Sequence, residues 1–124
     1  PLTKSRIDTG REGEAHAVRH LQREGYRIIE RNYRCVFGEM DIIAREGGAC
    51  VFVEVKSRRS VRFGDPKYAV DRRKQRKMSA VALCYLKEKR LLDHPARFDV
   101  VTVLFSEEGP RVELVRNAFG LAAR

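Results

Sequence analysis

Asp41, Glu54 and Lys56 are the residues of this chain whose types and spacing can do chemistry together. Two carboxylates that converge on one point hold a hard divalent cation, with waters completing its octahedron. Magnesium or manganese held that way neutralises a phosphate and activates a water, which are the first two requirements for hydrolysing a phosphodiester. The backbone carbonyl of Val55, next to Glu54, can complete the donor set. Lys56 leaves the same strand face two residues after Glu54, where an ammonium group can deprotonate or orient the attacking water or stabilise developing charge. The sequence leaves both roles of Lys56 open.

A hairpin must bring these residues together. Gly47-Gly48 marks a two-residue turn, because a type I′ turn needs positive φ at both central positions and glycine takes that without steric cost. Glu46 then faces Ala49, Asp41 faces Glu54, and Glu39 faces Lys56, where it can hold or tune the ammonium. Opposed side chains in an antiparallel pair have Cβ atoms about 4.5 to 5.5 Å apart, so two carboxylates there repel unless a cation or a proton intervenes. Alternation supports the register: Val51, Val53 and Val55 share one face with Met40, Ile42 and Ala44, while Phe52, Glu54 and Lys56 share the other with Ile43. The bland reading is an exposed edge with a solvated charge ladder, and the apolar Ile43 and Phe52 on the acidic face argue against it.

Further elements frame the hairpin. A helix is expected from about Thr9 to Glu24, ended by Gly25, with Ala17, Val18 and Leu21 on its apolar face and Glu14 one turn before Val18. Carboxylates near a helix start often serve only the macrodipole, but the inward position of Glu14 favours a part in the site. His16 and His20 have helical metal-pair spacing without a third ligand nearby, and His94 precedes Pro95 in a loop; none is read as a ligand. Strands are expected at Tyr26 to Arg34, Glu39 to Arg45 and Ala49 to Lys56. A second helix starts near Asp65-Pro66 and runs to about Lys89, with a stripe of Met78, Val81, Ala82, Tyr85 and Leu86. Extending that stripe backwards reaches Lys74 and Gln75, which points Lys74 towards the site and a phosphate. Two more strands, Arg97 to Phe105 and Arg111 to Arg116, are separated by Glu108-Gly109-Pro110. Five strands and two helices make an α/β layer sandwich with a mixed sheet.

The 124 residues fit one domain, 1–124, and 43% hydrophobic content is ordinary for a soluble fold. No stretch approaches the roughly 18 apolar residues of a membrane span, and Pro1 to Gly10 lacks a signal-like apolar core, so a cytoplasmic protein without a membrane partner is expected. Cys35, Cys50 and Cys84 are odd in number and widely spaced, which supports neither a disulfide framework nor a structural zinc site. The net charge of +9 is concentrated: thirteen basic residues lie between Lys56 and Arg90 against Asp65, Asp71 and Glu88, and the rest of the chain carries −1. Arg58, Arg59, Arg62, Arg72, Arg73, Lys74, Gln75, Arg76 and Lys77 are the candidate nucleic-acid contacts. A basic surface beside a candidate metal site suits a phosphodiester polymer. With no Trp and few aromatics among the basic residues, duplex or branched DNA fits better than stacked single strands.

Asp41 followed by Glu54-Val55-Lys56 resembles the Asp and Glu-x-Lys signature of the restriction-endonuclease-like superfamily, which includes archaeal Holliday junction resolvases. A closer resemblance runs through Gly10-x-x-Gly13-Glu14, Arg31-Asn32-Tyr33-Arg34, Gly38 to Ala44, Phe52 to Arg58, Phe63-Gly64, Arg97 to Val101 and Asn117-Ala118-Phe119. Together these are similar to the bacterial YraN-type family of small predicted nucleases. The resemblance implies a restriction-endonuclease-like α/β core, a five-stranded mixed sheet with flanking helices and a cytoplasmic bacterial setting. It places Asp41, Glu54 and Lys56 in the catalytic core and Glu14 as the helical acidic residue of the resolvase-like branch. By analogy it also implies a homodimer. The leading expectation is a magnesium- or manganese-dependent endonuclease acting on DNA. Its rivals are a non-catalytic nucleic-acid-binding adaptor and, less well supported because it leaves the opposed carboxylates unexplained, a ribosome-associated protein.

Overall fold

The computed structural model describes residues 4–59 and 70–121. Its elements are α1 (Lys4–Arg23), β1 (Arg27–Cys35), β2 (Gly38–Glu46), β3 (Ala49–Arg58), α2 (Arg72–Glu88), β4 (Ala96–Leu104) and β5 (Arg111–Phe119). The Asp65-Pro66 helix start, Arg62, Phe63-Gly64 and Lys67 fall outside the described residues. The described helix begins at Arg72, with Asp71 as N-cap accepting the Lys74 N–H at 2.7 Å.

The strands form one sheet in the order β1-β2-β3-β4-β5. The first three make the antiparallel meander that the turn chemistry dictates, with Gly47 at φ +59° and Gly48 at φ +87°. β4 then runs parallel to β3, which a hairpin cannot achieve, so the chain crosses over through α2. β5 returns antiparallel to β4. This is the α/β arrangement with a five-stranded mixed sheet and flanking helices that the pattern of elements implies.

Each helix covers one face of the sheet. Ala17 and Leu21 of α1 pack with Ile42, Ala44, Val51, Val53, Val101 and Val103, while Met78, Val81, Ala82, Tyr85 and Leu86 of α2 pack with Ile43, Phe52, Phe98 and Val100. The alternation of the strand residues thus becomes two separate cores. α1 stops in a Schellman motif: Gly25 at φ +93° lets Tyr26 N–H reach Leu21 C=O at 2.9 Å and Gly25 N–H reach Gln22 C=O at 3.1 Å. α1 starts earlier than the sequence suggested, as neither Gly nor Pro interrupts Lys4–Asp8. Its approach to the sheet is set at Gly13, where a Cβ would lie 1.8 Å from Ser57 Oγ and 2.9 Å from Ser57 Cβ. Only a glycine lets α1 lie this close to β3, and that places Glu14 at the carboxylate end of the sheet.

One expectation about faces is corrected. Met40 packs in the α2 core with Tyr33 and Ile43, whereas Ile42, two residues on, packs in the α1 core. Strict alternation would keep Met40 and Ile42 together. Asn32 of β1, in the left-handed region at φ +54°, lies between the partners of these two residues, Arg31↔Ile42 and Tyr33↔Met40, so both strands change face there.

Candidate active site

The β2–β3 ladder follows the turn-defined register from Glu46↔Ala49 to Ile42↔Val53 and ends there. The expected backbone pairs Asp41/Glu54 and Glu39/Lys56 are therefore not formed. Instead the Asp41 carboxylate takes the place of a strand partner, with Oδ2 accepting the Val55 N–H at 2.8 Å. The two strands fork at the point where the chemistry-bearing residues lie. A residue in an extended strand turns its N–H and C=O to the same neighbour, so the Val55 carbonyl also faces the β2 side of the fork.

Electrostatics shows how closely the acids converge. Burial, then the negative charge of Glu54, raise Asp41 from its ordinary value of 3.8 to about 7. The Val55 N–H opposes this, while a carboxyl–carboxyl hydrogen bond to Glu54 and the charge of Glu14 add to it. Without a cation, Asp41 thus keeps its proton close to neutrality. Glu54 is neutralised differently: its Oε2 lies 3.3 Å from Lys74 Nζ on α2, and the two side chains are 15% and 44% exposed.

Glu14 comes to the same end from α1. Its Oε1 accepts from Arg31 Nε and Asn32 Nδ2, each at 3.1 Å, so β1 holds it beside the fork rather than in it. Lys56 is half-buried on β3, aligned with Thr102 of β4. Glu39 is corrected from its expected place: it accepts from Arg34, its β1 neighbour, at 3.2 Å in an exposed pair. Gln75 donates to the Val70 carbonyl at 2.6 Å, a local contact under the start of α2 rather than an outward-facing one. Arg72, Arg73, Arg76 and Lys77 are exposed on α2, Arg59 is exposed after β3, and Arg58 is half-buried. His16 is engaged by Arg19 at 2.9 Å and lies edge-on to Phe105.

The donor set suits a magnesium-like ion. Among the described residues no group of three or more His, Cys, Asp or Glu is arranged to hold a metal. The fork offers two carboxylates, Asp41 and Glu54, with the Val55 carbonyl alongside, and Mg2+ characteristically takes one or two carboxylates and keeps several waters. The elevated Asp41 is the physical sign of fit, since burial and then the charge of Glu54 disfavour its ionised form, which a cation would stabilise.

A second polar cluster had no counterpart in the sequence reading. Asp99, fully buried on β4, accepts from Tyr26 Oη at 2.6 Å, Arg97 Nε at 3.1 Å and Asn117 N–H at 2.9 Å. Arg97 also reaches Glu46 at 2.7 Å, and Arg116 donates to Tyr26 Oη at 3.0 Å. Asn117, at φ +53°, supplies its N–H by bulging out of the β4–β5 ladder. Burial, followed by the hydrogen bond and charge of Asp99, raises Tyr26 and keeps its phenol protonated. The cluster ties the end of α1 to β2, β4 and β5. Its one visible signal in the sequence is an aspartate inside the apolar run Phe98 to Val101.

Fold and site together define a small α/β protein whose sheet forks around two convergent carboxylates, beside a strongly basic helix. The chain belongs to the Uncharacterised protein family UPF0102, whose model matches residues 13–103. This is the family that its motifs resemble. It is 55% identical over 116 residues to a UPF0102 protein of Syntrophus aciditrophicus (strain SB), covering 94% of this chain and 91% of that one. It is 50% identical over 113 residues to a UPF0102 protein of Geobacter metallireducens, covering 91% and 93% respectively. Among solved structures it is similar to Pyrococcus furiosus SfsA in complex with Ca2+, at 19% identity and a TM-score of 0.42. That match covers 87% of this chain, which spans 61% of the other. Among the described residues no helix is long and apolar enough to cross a membrane.

Proposed function

We propose that this protein is a divalent-metal-dependent endonuclease that hydrolyses phosphodiester bonds in DNA, with branched or repair intermediates as the substrate class. The observation that carries the reading is Asp41. A strand carboxylate inserted into a fork and raised to about 7 by burial and then by the charge of a second carboxylate is a poor structural device and a good cation site. Asp41, Glu54 and the Val55 carbonyl would hold Mg2+ or Mn2+, which supplies charge neutralisation on the phosphate and an activated water. Lys56, two residues beyond Glu54 on β3, would deprotonate or orient that water or stabilise the developing charge. Glu14, fixed by Arg31 and Asn32, maintains the negative field around Asp41. The exposed Arg72, Arg73, Arg76 and Lys77 of α2 would track the phosphates.

The test is cleavage of labelled duplex, flap, four-way-junction and RNA substrates in Mg2+ and in Mn2+, by the wild type and by Asp41→Asn. The reading requires metal-dependent cleavage of DNA by the wild type and its loss in the variant, with binding retained. Tight, salt-dependent binding without cleavage under any of these conditions would replace it with the adaptor reading. Preferential cleavage of RNA would correct the substrate.

A further inference from the structure

Lys74 Nζ pairs with Glu54 Oε2 at 3.3 Å, one ammonium beside the two carboxylates of the fork. The ammonium arrives on a 44%-exposed arm, while the carboxylate that it meets is 15% exposed and fixed on a central strand. A lysine contacts its partner as a point charge on a flexible stem, so a small rotation separates the pair.

The base of that stem lies among cations. Arg72, Arg73 and Lys74 occupy the first turn of α2, whose end is capped by the Asp71 carboxylate. The partial positive charge of a helix N-terminus disfavours cations, so three in a row weaken the isolated helix. A phosphate beside that turn would be favoured by the side-chain charges. One turn further on, Lys77 packs over Gly38 at the start of β2, where a Cβ would lie 2.8 Å from Lys77 Cε. α2 therefore runs along β2 with Lys74 above the fork and Arg73 and Arg76 exposed.

We propose that Lys74 is a resident counter-cation, which leaves Glu54 when a divalent metal binds and pairs with a substrate phosphate, so that metal and nucleic acid bind with positive coupling. The inference rests on the metal-site reading of the fork. A divalent ion neutralises both carboxylates where Lys74 pairs with one, and the displaced ammonium adds to the cations of Arg72 and Arg73 in the first turn of α2. In the opposite direction, a phosphate that draws Lys74 away exposes Glu54 to the metal. The two effects on affinity must be equal, because they are one coupling free energy.

The test is Mn2+ calorimetry on Lys74→Met, Lys74→Arg and Lys87→Met, beside a protein with both lysines intact. All carry Lys56→Met so that DNA is not cut. Without DNA, Lys74→Met is expected to bind Mn2+ about three- to five-fold tighter, the scale of a partly exposed ion pair that no longer competes. Lys74→Arg should match the parent, and Lys87→Met, which removes the same charge in the last turn of α2, should change little. A DNA duplex should tighten Mn2+ binding more in the parent than in Lys74→Met, by about the same three- to five-fold. Equal Mn2+ affinity in parent and Lys74→Met, or equal tightening in Lys87→Met, would overturn the exchange while leaving the metal site in place. No Mn2+ binding by any of the proteins, with or without DNA, would remove the metal-site reading and the exchange with it.

Discussion

In a metal-free buffer, Asp41→Asn is expected to make the protein more stable than the wild type at pH 8 and nearly equal to it at pH 4. Asp41 rises from 3.8 to about 7 on folding, chiefly through burial and then through the charge of Glu54. A carboxyl raised in this way favours the fold while protonated. Its effect is absent below the unfolded value, grows unfavourable as pH rises from about 4 to about 7, and is constant above that. At about 1.4 kcal/mol per unit, the full interval corresponds to about 4 kcal/mol. Relaxation of the fork and screening by salt bring the expectation to about 2 to 4 kcal/mol. Asparagine has no charge to remove, and its carbonyl oxygen can still accept the Val55 N–H that Asp41 Oδ2 accepts. Urea unfolding followed by circular dichroism at pH 4, 5, 6, 7 and 8, in EDTA, measures the difference directly. The other acids titrate in both proteins and cancel to first order. A difference that stays flat over this range, or a variant less stable than wild type at pH 8, would refute the account of Asp41.

Three other outcomes are expected. Gly13→Ala should lower stability by about 1 to 3 kcal/mol, because its Cβ would meet Ser57, and adding Ser57→Gly should recover most of the loss in thermal melts. Asp99→Ala should cost about 3 to 5 kcal/mol in urea unfolding, since it leaves the half-buried Arg97 with Glu46 and the Tyr26 hydroxyl only and the Asn117 N–H without its acceptor. Arg73→Gln and Arg76→Gln should each weaken duplex binding uniformly across sequences and lower the slope of log affinity against log salt by about 1, measured by fluorescence anisotropy.

The parts of this protein written in local chemistry could be read from its sequence. Gly47-Gly48 fixed the turn, and the turn fixed the register as far as Ile42↔Val53. The stripe of Met78, Val81 and Tyr85, run backwards, correctly pointed Lys74 towards the carboxylates. The same logic failed one residue past the ladder, where the Asp41 side chain replaces a backbone partner, because nothing in the composition of a strand says where it will fork. Met40 changed cores because Asn32, on another strand, adopts a left-handed conformation that asparagine tolerates but does not announce. Glu39 went to Arg34 for a related reason: β2 has two neighbours, and β1 rather than β3 supplies the cation. The Asp99 cluster joins residues as far apart as Tyr26 and Arg116, and no periodicity encodes contacts of that range. The close approach of α1 at Gly13 was equally silent, since a glycine inside a helix shows its purpose only once Ser57 is beside it.

The central claim is that the fork between β2 and β3 is a divalent-cation site. Manganese calorimetry at pH 7, repeated in buffers of different ionisation enthalpy, tests it without knowledge of the substrate. Because Asp41 stands near half-protonation there, one ion should bind per chain with release of roughly half a proton, and Asp41→Asn should abolish both the binding and the release. An ion that binds equally well to wild type and Asp41→Asn, or that binds the wild type without displacing a proton, would contradict the assignment.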